Sequence, residues 1–421
     1  METDTTPDLT GPLPPRAYLR RCASEPYRIL FPVGTIFGFL GVAVWPLTAL
    51  GLAPAPLVLS HPRVMVEGFV GSFVIGYLAT ALPRLLGIEP LSGNLVIILA
   101  STLVSVGMFQ LLGAQWVGDL LFTFSLLVPL VAFALRFGRR KGEMPPCFFL
   151  VLLGVVGAAL GAFLQAERVT GMRIGPFLQR VSALLLLDGL PLLSLLGACA
   201  FFLPQVYAAA GQAEPTLPLR PFRERIRPAL PAAGTGLLIL ASFLFDGGGM
   251  PRLGGLLRLS AAAGYLAFSF PHWAELRARG TVTAAVRLAL PLALLGMLLA
   301  PFVPLGPAGV LHLLFLGGAG LMILATGAQV VYGLSGRGFL LRYRFLPFEF
   351  AIGGVMAALA ARFGADYLPS WRLGLLSLSS LLWIGALGLW AFAVIPFVLC
   401  PDVEEKEESS EDEAASGSGS E

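Results

Sequence analysis

The residues of this chain that could bind a metal ion are few. The chain has three histidines in 421 residues. His61 and His312 each lie near the start of a long apolar segment, whereas His272 follows one. Imidazole is the commonest metal ligand in proteins and also binds haem iron. Three histidines are too few for the core of a haem–copper oxidase, but enough for a single metal centre.

Each of these two histidines is followed, at helical spacing, by residues with mostly small or slender side chains. These residues form a strip along the same helix face. The strips are Met65, Gly68, Ser72 and Gly76 after His61, and Leu316, Ala319, Gly320, Ile323 and Gly327 after His312. Such positions share one face of a regular helix. A smooth strip beneath an imidazole predicts room for a flat macrocycle whose iron the imidazole binds. Because small residues also mediate ordinary contacts between membrane helices, the residues alone leave both interpretations open.

Ionisable side chains within the apolar segments gather towards one end of them. Each is unfavourable in a bilayer, by about 2.5–3.5 kcal/mol on insertion scales. Those near the predicted outer end are Glu67, Asp119, Asp188 and Arg258. They predict a polar site that opens on the outer face, in which Glu67 and Asp188 could form a polar relay. For Glu67 and Asp119 the alternative is that a charge at the end of a helix merely reaches the membrane interface. The alternative function is that of a secondary transporter with this outward-facing site.

The basic side chains near that site also suit a haem. Arg63 or Arg258 could pair with the haem propionates, because arginine forms strong bidentate pairs with carboxylates. Gly320 belongs to the strip that would face the macrocycle. We therefore expect Arg63, Arg258 and Gly320 to bind the cofactor. His272 would lie on the opposite side of the membrane and is not expected to be a ligand.

The segments that position these residues predict an all-α, polytopic membrane protein. Hydrophobic residues make up 56% of the chain and charged residues 13%. Runs of about 20 apolar residues recur, which is the length that crosses the hydrocarbon core, and a backbone without water must there be helical. We predict twelve spans, roughly 29–51, 64–86, 95–113, 116–137, 147–165, 181–203, 230–246, 253–271, 282–303, 308–333, 346–363 and 374–399.

The basic residues predict that both termini are cytoplasmic. This orientation places 20 of the 28 Lys and Arg residues on the inner side, in line with the positive-inside rule. The expected partner is membrane lipid; no nucleic acid is expected, and no protein partner is indicated. The predicted organisation is a cytoplasmic segment 1–28, a six-helix half 29–208, a cytoplasmic linker 209–229, a second half 230–400 and a disordered acidic tail 401–421.

Other chemistries find little support in the sequence. The four cysteines are far apart and form no CxxC pair, so neither a disulfide framework nor a thiolate metal site is expected. No Walker A, GxSxG or HExxH motif is present. No reaction can be assigned from the residues, and whether the chain is an enzyme stays open. A third interpretation is a non-catalytic assembly or sensor subunit whose acidic tail docks a partner.

Four blocks of the chain resemble the NnrS family. They are residues 25–46, residues 60–87 (SHPRVMVEGFVGSFVIGYLATALPRLLG), residues 311–337 (LHLLFLGGAGLMILATGAQVVYGLSGR) and residues 381–401. The similarity covers essentially the full chain. The family comprises polytopic proteins of the bacterial inner membrane that contain haem and copper and are associated with the response to nitric oxide. The resemblance implies haem near the periplasmic face and a role in nitrosative stress or denitrification-linked metabolism, with nitric oxide as a gaseous ligand.

The resemblance extends to both histidines. His61 matches the first histidine of the family's block before the second span, and His312 matches the histidine that opens the block in the tenth span. It implies that both are metal or haem ligands. Arg63 and Leu334 stand where many members carry further histidines. The resemblance therefore implies haem more directly than copper.

Overall fold

The structure of the protein is a computed structural model that describes residues 15–53, 59–166, 174–207, 222–270, 280–303 and 307–400. Within these residues the chain is helical and contains no β-strand, as the apolar segments predict. A short helix precedes twelve long ones. They are α1 Pro15–Ser24, α2 Tyr27–Ala49, α3 His61–Leu86, α4 Gly93–Leu111, α5 Gln115–Arg136, α6 Phe148–Gln165, α7 Pro176–Phe202, α8 Phe222–Gly247, α9 Pro251–Ser269, α10 Thr281–Leu299, α11 Ala308–Leu334, α12 Leu346–Tyr367 and α13 Arg372–Val394.

Eleven of the helices in the described residues are long and apolar enough to cross a membrane. The long helix outside this group is α9, which lies where the eighth span is predicted. Its two arginines, Arg252 and Arg258, lower its hydropathy. The multi-pass helical architecture is thereby confirmed. The count of twelve spans and the orientation of the termini stay predictions.

Six long helices, α2–α7, precede the predicted linker and six, α8–α13, follow it. Most of the linker, the whole acidic tail and His272 lie outside the described residues. The last long helix, α13, packs against both α12 and α2, so the first and the last long helices of the described residues meet. At this contact the indole Nε1 of Trp383 donates a hydrogen bond to the carbonyl oxygen of Gly38, at 3.0 Å.

Three of the long helices contain a π-helical segment. These are Val64–Val70 in α3, Leu185–Gly189 in α7 and Leu313–Gly320 in α11. A π-helical turn is closed by i→i+5 hydrogen bonds, so it accommodates one more residue than an α-helical turn. Such segments are frequent at functional sites. All three contribute side chains to one cavity, described next.

Candidate functional site

A cavity of about 460 Å³ lies between the helices. This volume is within the range of ligand and cofactor pockets, about 300–1,000 Å³. Three helices from each predicted half form its wall, namely α2, α3 and α7 from the first and α11, α12 and α13 from the second. Most lining side chains are apolar or aromatic. The charged or titratable ones are His61, Asp188, His312, Arg362 and Arg372.

The two histidines predicted as ligands face each other across this cavity. Their rings are parallel to within 7°, and the ring centroids are 6.3 Å apart. His61 Nδ1 lies 2.8 Å from the carbonyl oxygen of Gly41, and His312 Nδ1 lies 2.6 Å from that of Ala308. A carbonyl oxygen only accepts, so each Nδ1 donates and each Nε2 keeps a free lone pair. A ring fixed in this way through one nitrogen is typical of metal-binding histidines.

The separation of the rings is small enough for one bound group to contact both histidines, since their centroids are 6.3 Å apart. The described residues contain no group of three or more His, Cys, Asp or Glu that could hold a metal ion. Haem would need fewer protein ligands than a bare metal ion, because its macrocycle supplies four nitrogens.

The strip predicted below His61 differs in the structure by one residue. The cavity wall includes Met65, as predicted, but continues with Phe69 and Val70. The predicted Gly68, Ser72 and Gly76 are not among the lining residues. The cause is the π-helical segment Val64–Val70, whose extra residue advances the face of every later position. Gly68 instead packs so closely on Phe37 that an added Cβ would lie 2.9 Å from its side chain.

The strip below His312 agrees more closely with the prediction. Leu316, Ala319, Gly320 and Ile323 line the cavity. Gly327 does not; it packs against Trp390, where an added Cβ would lie 2.9 Å from the ring. Gly320 is therefore in the wall of the cavity, and its contact with a cofactor stays a prediction.

The arginines predicted to pair with propionates lie elsewhere. Arg63 Nε is 2.9 Å from Asp119 Oδ1, and Arg63 Nη2 donates to Gln165 Oε1 at 3.2 Å. Arg258 Nη2 is 2.8 Å from Asp246 Oδ2. Neither Arg63 nor Arg258 lines the cavity.

Two other arginines are in the cavity wall. Arg362 lies on α12 and pairs with Asp366 at 3.0 Å, and Arg372 opens α13. Neither was predicted as a site residue, although both belong to the few basic residues at the predicted outer ends of the spans.

The acids predicted for a polar site fall into two separate places. Gln110 Nε2 donates to Glu67 Oε2 at 2.8 Å and to Asp119 Oδ1 at 3.1 Å, and all three residues are buried. Arg63 completes this cluster, which is not part of the cavity wall. Asp188 lies instead in the wall, and Arg258 pairs with Asp246. The four residues of the transporter interpretation therefore do not form one site.

Comparison with known proteins gives one finding. The model of the family described as NnrS protein matches residues 21–401. No curated protein matches the chain. The matched range contains the whole cavity wall, including both histidines, both lining arginines and Asp188.

Proposed function

The chain belongs to the NnrS family, and we propose that it is a haem-binding protein of the bacterial inner membrane that acts in the response to nitric oxide. The observation that carries the haem proposal is the pair of parallel imidazoles, 6.3 Å apart and each with a free Nε2. The role in nitrosative stress or denitrification-linked metabolism follows from family membership.

Each group of cavity residues has a part in this proposal. His61 and His312 would hold the iron, and their hydrogen bonds to Gly41 and Ala308 orient both rings for it. Arg372 would offer a free cation to a propionate, and Arg362 one that is already paired with Asp366. The aromatic and aliphatic wall keeps water from the macrocycle. When bound, haem supplies a one-electron redox centre and an iron that binds small gaseous ligands.

Copper is less well supported than haem by the residues present. The described residues contain no third His, Cys, Asp or Glu grouped with the two histidines. Arg63 is bound to Asp119, where the resemblance expects a second histidine. A copper site of three or four protein ligands would therefore need a ligand of another type.

Optical and metal analysis of the purified protein tests the proposal. Protein purified from haem-replete cells should show the Soret absorption of a six-coordinate haem. We expect His61→Ala and His312→Ala each to lose haem or to shift the spectrum to that of a five-coordinate iron. His272→Ala is the matched control, since this histidine is predicted on the opposite side of the membrane, and it should leave the spectrum unchanged.

Two results would contradict the proposal. One is a wild-type protein that stays colourless after expression in haem-replete cells. The other is a bound haem whose spectrum is the same in the His61→Ala, His312→Ala double variant. Stoichiometric copper without haem, lost in the same two variants, would assign the histidine pair to copper instead.

A further inference from the structure

Asp188 is half-buried and differs from the buried acids of the described residues in having no fixed partner. Arginine binds Asp119, Asp246 and Asp366, at 2.9, 2.8 and 3.0 Å. Glu67 accepts a hydrogen bond from Gln110. Glu25 is paired with Arg28. Asp188 forms no hydrogen bond or ion pair with any residue in the described part of the chain.

The position of Asp188 is as distinctive as its lack of a partner. It lies in the π-helical segment Leu185–Gly189 of α7, three residues before Pro191, and its side chain lines the cavity of the two histidines. Glu67, Asp119, Asp246 and Asp366 do not line it. Asp188 is thus the one carboxyl group in the wall among the described residues.

A carboxyl group in such a cavity responds to the charge of whatever binds there. Reduction of a metal between the histidines adds one negative charge to a space of low dielectric constant, where charges interact strongly. The negative charge of a carboxylate paired with an arginine is already compensated. Its protonation therefore changes little when the charge of the cavity changes. An uncompensated carboxylate can neutralise the added charge by taking up a proton.

We propose that Asp188 is a redox-linked proton-binding site of the histidine cavity. It takes up one proton from the aqueous phase when a one-electron donor reduces the metal, and releases that proton when the metal is oxidised. One electron and one proton enter together, so the net charge of the cavity does not change. This inference rests on the proposed haem site.

The charged groups around Asp188 are consistent with this role. Across the cavity it faces His61, His312, Arg362 and Arg372. Behind it, the Arg258–Asp246 pair of α9 and α8 is close enough to interact electrostatically. Arg258 and Asp246 compensate each other at 2.8 Å, and Asp366 compensates Arg362 at 3.0 Å, which leaves Arg372 as the uncompensated cation that shares the cavity wall with Asp188.

Potentiometric titration of the haem-loaded, full-length protein at a series of pH values tests the inference. In the wild type the midpoint potential should fall as pH rises, by up to about 59 mV for each tenfold drop in proton concentration, the constant for one electron and one proton. Asp188→Asn should lose most of this slope, and Asp188→Glu should keep it. Asp119→Asn is the matched control, a buried acid outside the cavity, and should keep the wild-type slope.

A second readout follows the carboxyl group itself. The reduced-minus-oxidised infrared spectrum should contain the C=O stretch of a carboxylic acid that shifts in D₂O, present in the wild type and absent in Asp188→Asn. A wild-type potential that does not change with pH would overturn the inference and leave the haem site standing. So would a full slope in Asp188→Asn. If no haem is bound, the proposed function fails first, and this inference fails with it.

Discussion

Arg372 is the lining cation with the least compensation. It is exposed at the start of α13 and forms no ion pair with another described residue, whereas Arg362 is held by Asp366 at 3.0 Å. An uncompensated guanidinium at the cavity is available to an anionic group of a ligand. Replacement of Arg372 should therefore affect the binding of an anionic ligand group more than replacement of Arg362.

We expect Arg372→Gln to lower the affinity for haem by up to about fivefold, because an ion pair at an exposed position contributes about 0.2–1 kcal/mol. Haem retention during dilution of the purified protein measures this. Arg63→Gln is the control, since Arg63 is engaged with Asp119 outside the cavity. The opposite order, with Arg63→Gln losing haem and Arg372→Gln keeping it, would restore the pairing predicted from the sequence.

For individual residues, the sequence indicates which residue types could act at a site. It does not indicate which of these residues lie next to each other in the fold. His61 and His312 could be identified because histidine is so rare in the chain. Their parallel rings could not be predicted, because the ring orientation depends on the carbonyl oxygens of Gly41 and Ala308. Arg63 was assigned to the cavity from its nearness to His61 along the chain. Its actual partner, Asp119, is brought to it by a different helix.

Among the helices, the tightest contact around the site joins α2, α3 and α4. The ring of Phe37 on α2 lies between Gly68 of α3 and Gly107 of α4. A Cβ added at Gly107 would lie 1.9 Å from the Phe37 ring. The ring cannot retreat towards α3, because a Cβ at Gly68 would also meet it, at 2.9 Å. The contact therefore sets the distance between the helix that carries His61 and its neighbours.

Gly107→Ala should accordingly destabilise the protein by about 1–3 kcal/mol, the usual range for overpacking in a closely packed core. The midpoint of thermal denaturation in detergent measures this. Gly388→Ala is the matched control, because it lies inside α13 with no heavy atom within 4 Å of the added Cβ. An unchanged midpoint in Gly107→Ala would show that the helices can separate at this point.

Which face of a helix lines the cavity can be predicted only in part from the sequence pattern. A helical period of 3.6 residues per turn correctly predicts which side of α3 faces the cavity from His61 to Met65. After Met65 the prediction is wrong. The π-helical segment Val64–Val70 adds one residue to the turn, and the face moves from Gly68 to Phe69. Hydropathy does not reveal such a segment, because the extra residue is as apolar as its neighbours. In α11 the predicted face holds from Leu316 to Ile323, and Gly327 leaves it because it packs against Trp390.

For the described part of the molecule as a whole, a buried ionic cluster joins the segment before α2 to the segment after α13. Arg28 and Glu25 are fully buried and paired, and Arg28 Nη1 donates to the carbonyl oxygen of Cys400 at 2.7 Å. Arg84, at the end of α3, pairs with the same Glu25. At the end opposite the cavity, the helix that carries His61 is thus fixed to Glu25 and, through Arg28, to the backbone at Cys400. Composition could predict the membrane class, but not this closure, which depends on contacts about 370 residues apart.

The orientation of the molecule decides which compartment the cavity faces. Leu52 lies in the turn between α2 and α3, at the same end as His61, and its side chain is 72% exposed. Arg139 is exposed at the opposite end of the bundle, after α5. The four native cysteines are buried, and burial raises the pKa of the Cys22 thiol, which keeps it protonated and less reactive. Native background labelling should therefore be low.

Single cysteines at Leu52 and Arg139 then form a matched pair for a membrane-impermeant maleimide. In intact cells whose outer membrane is made permeable, Leu52→Cys should react and Arg139→Cys should react only after the inner membrane is opened. This follows from the 20 of 28 basic residues placed on the cytoplasmic side. The wild type serves as the unlabelled control. Labelling of Arg139→Cys alone in intact cells would invert the topology and place the histidine cavity towards the cytoplasm.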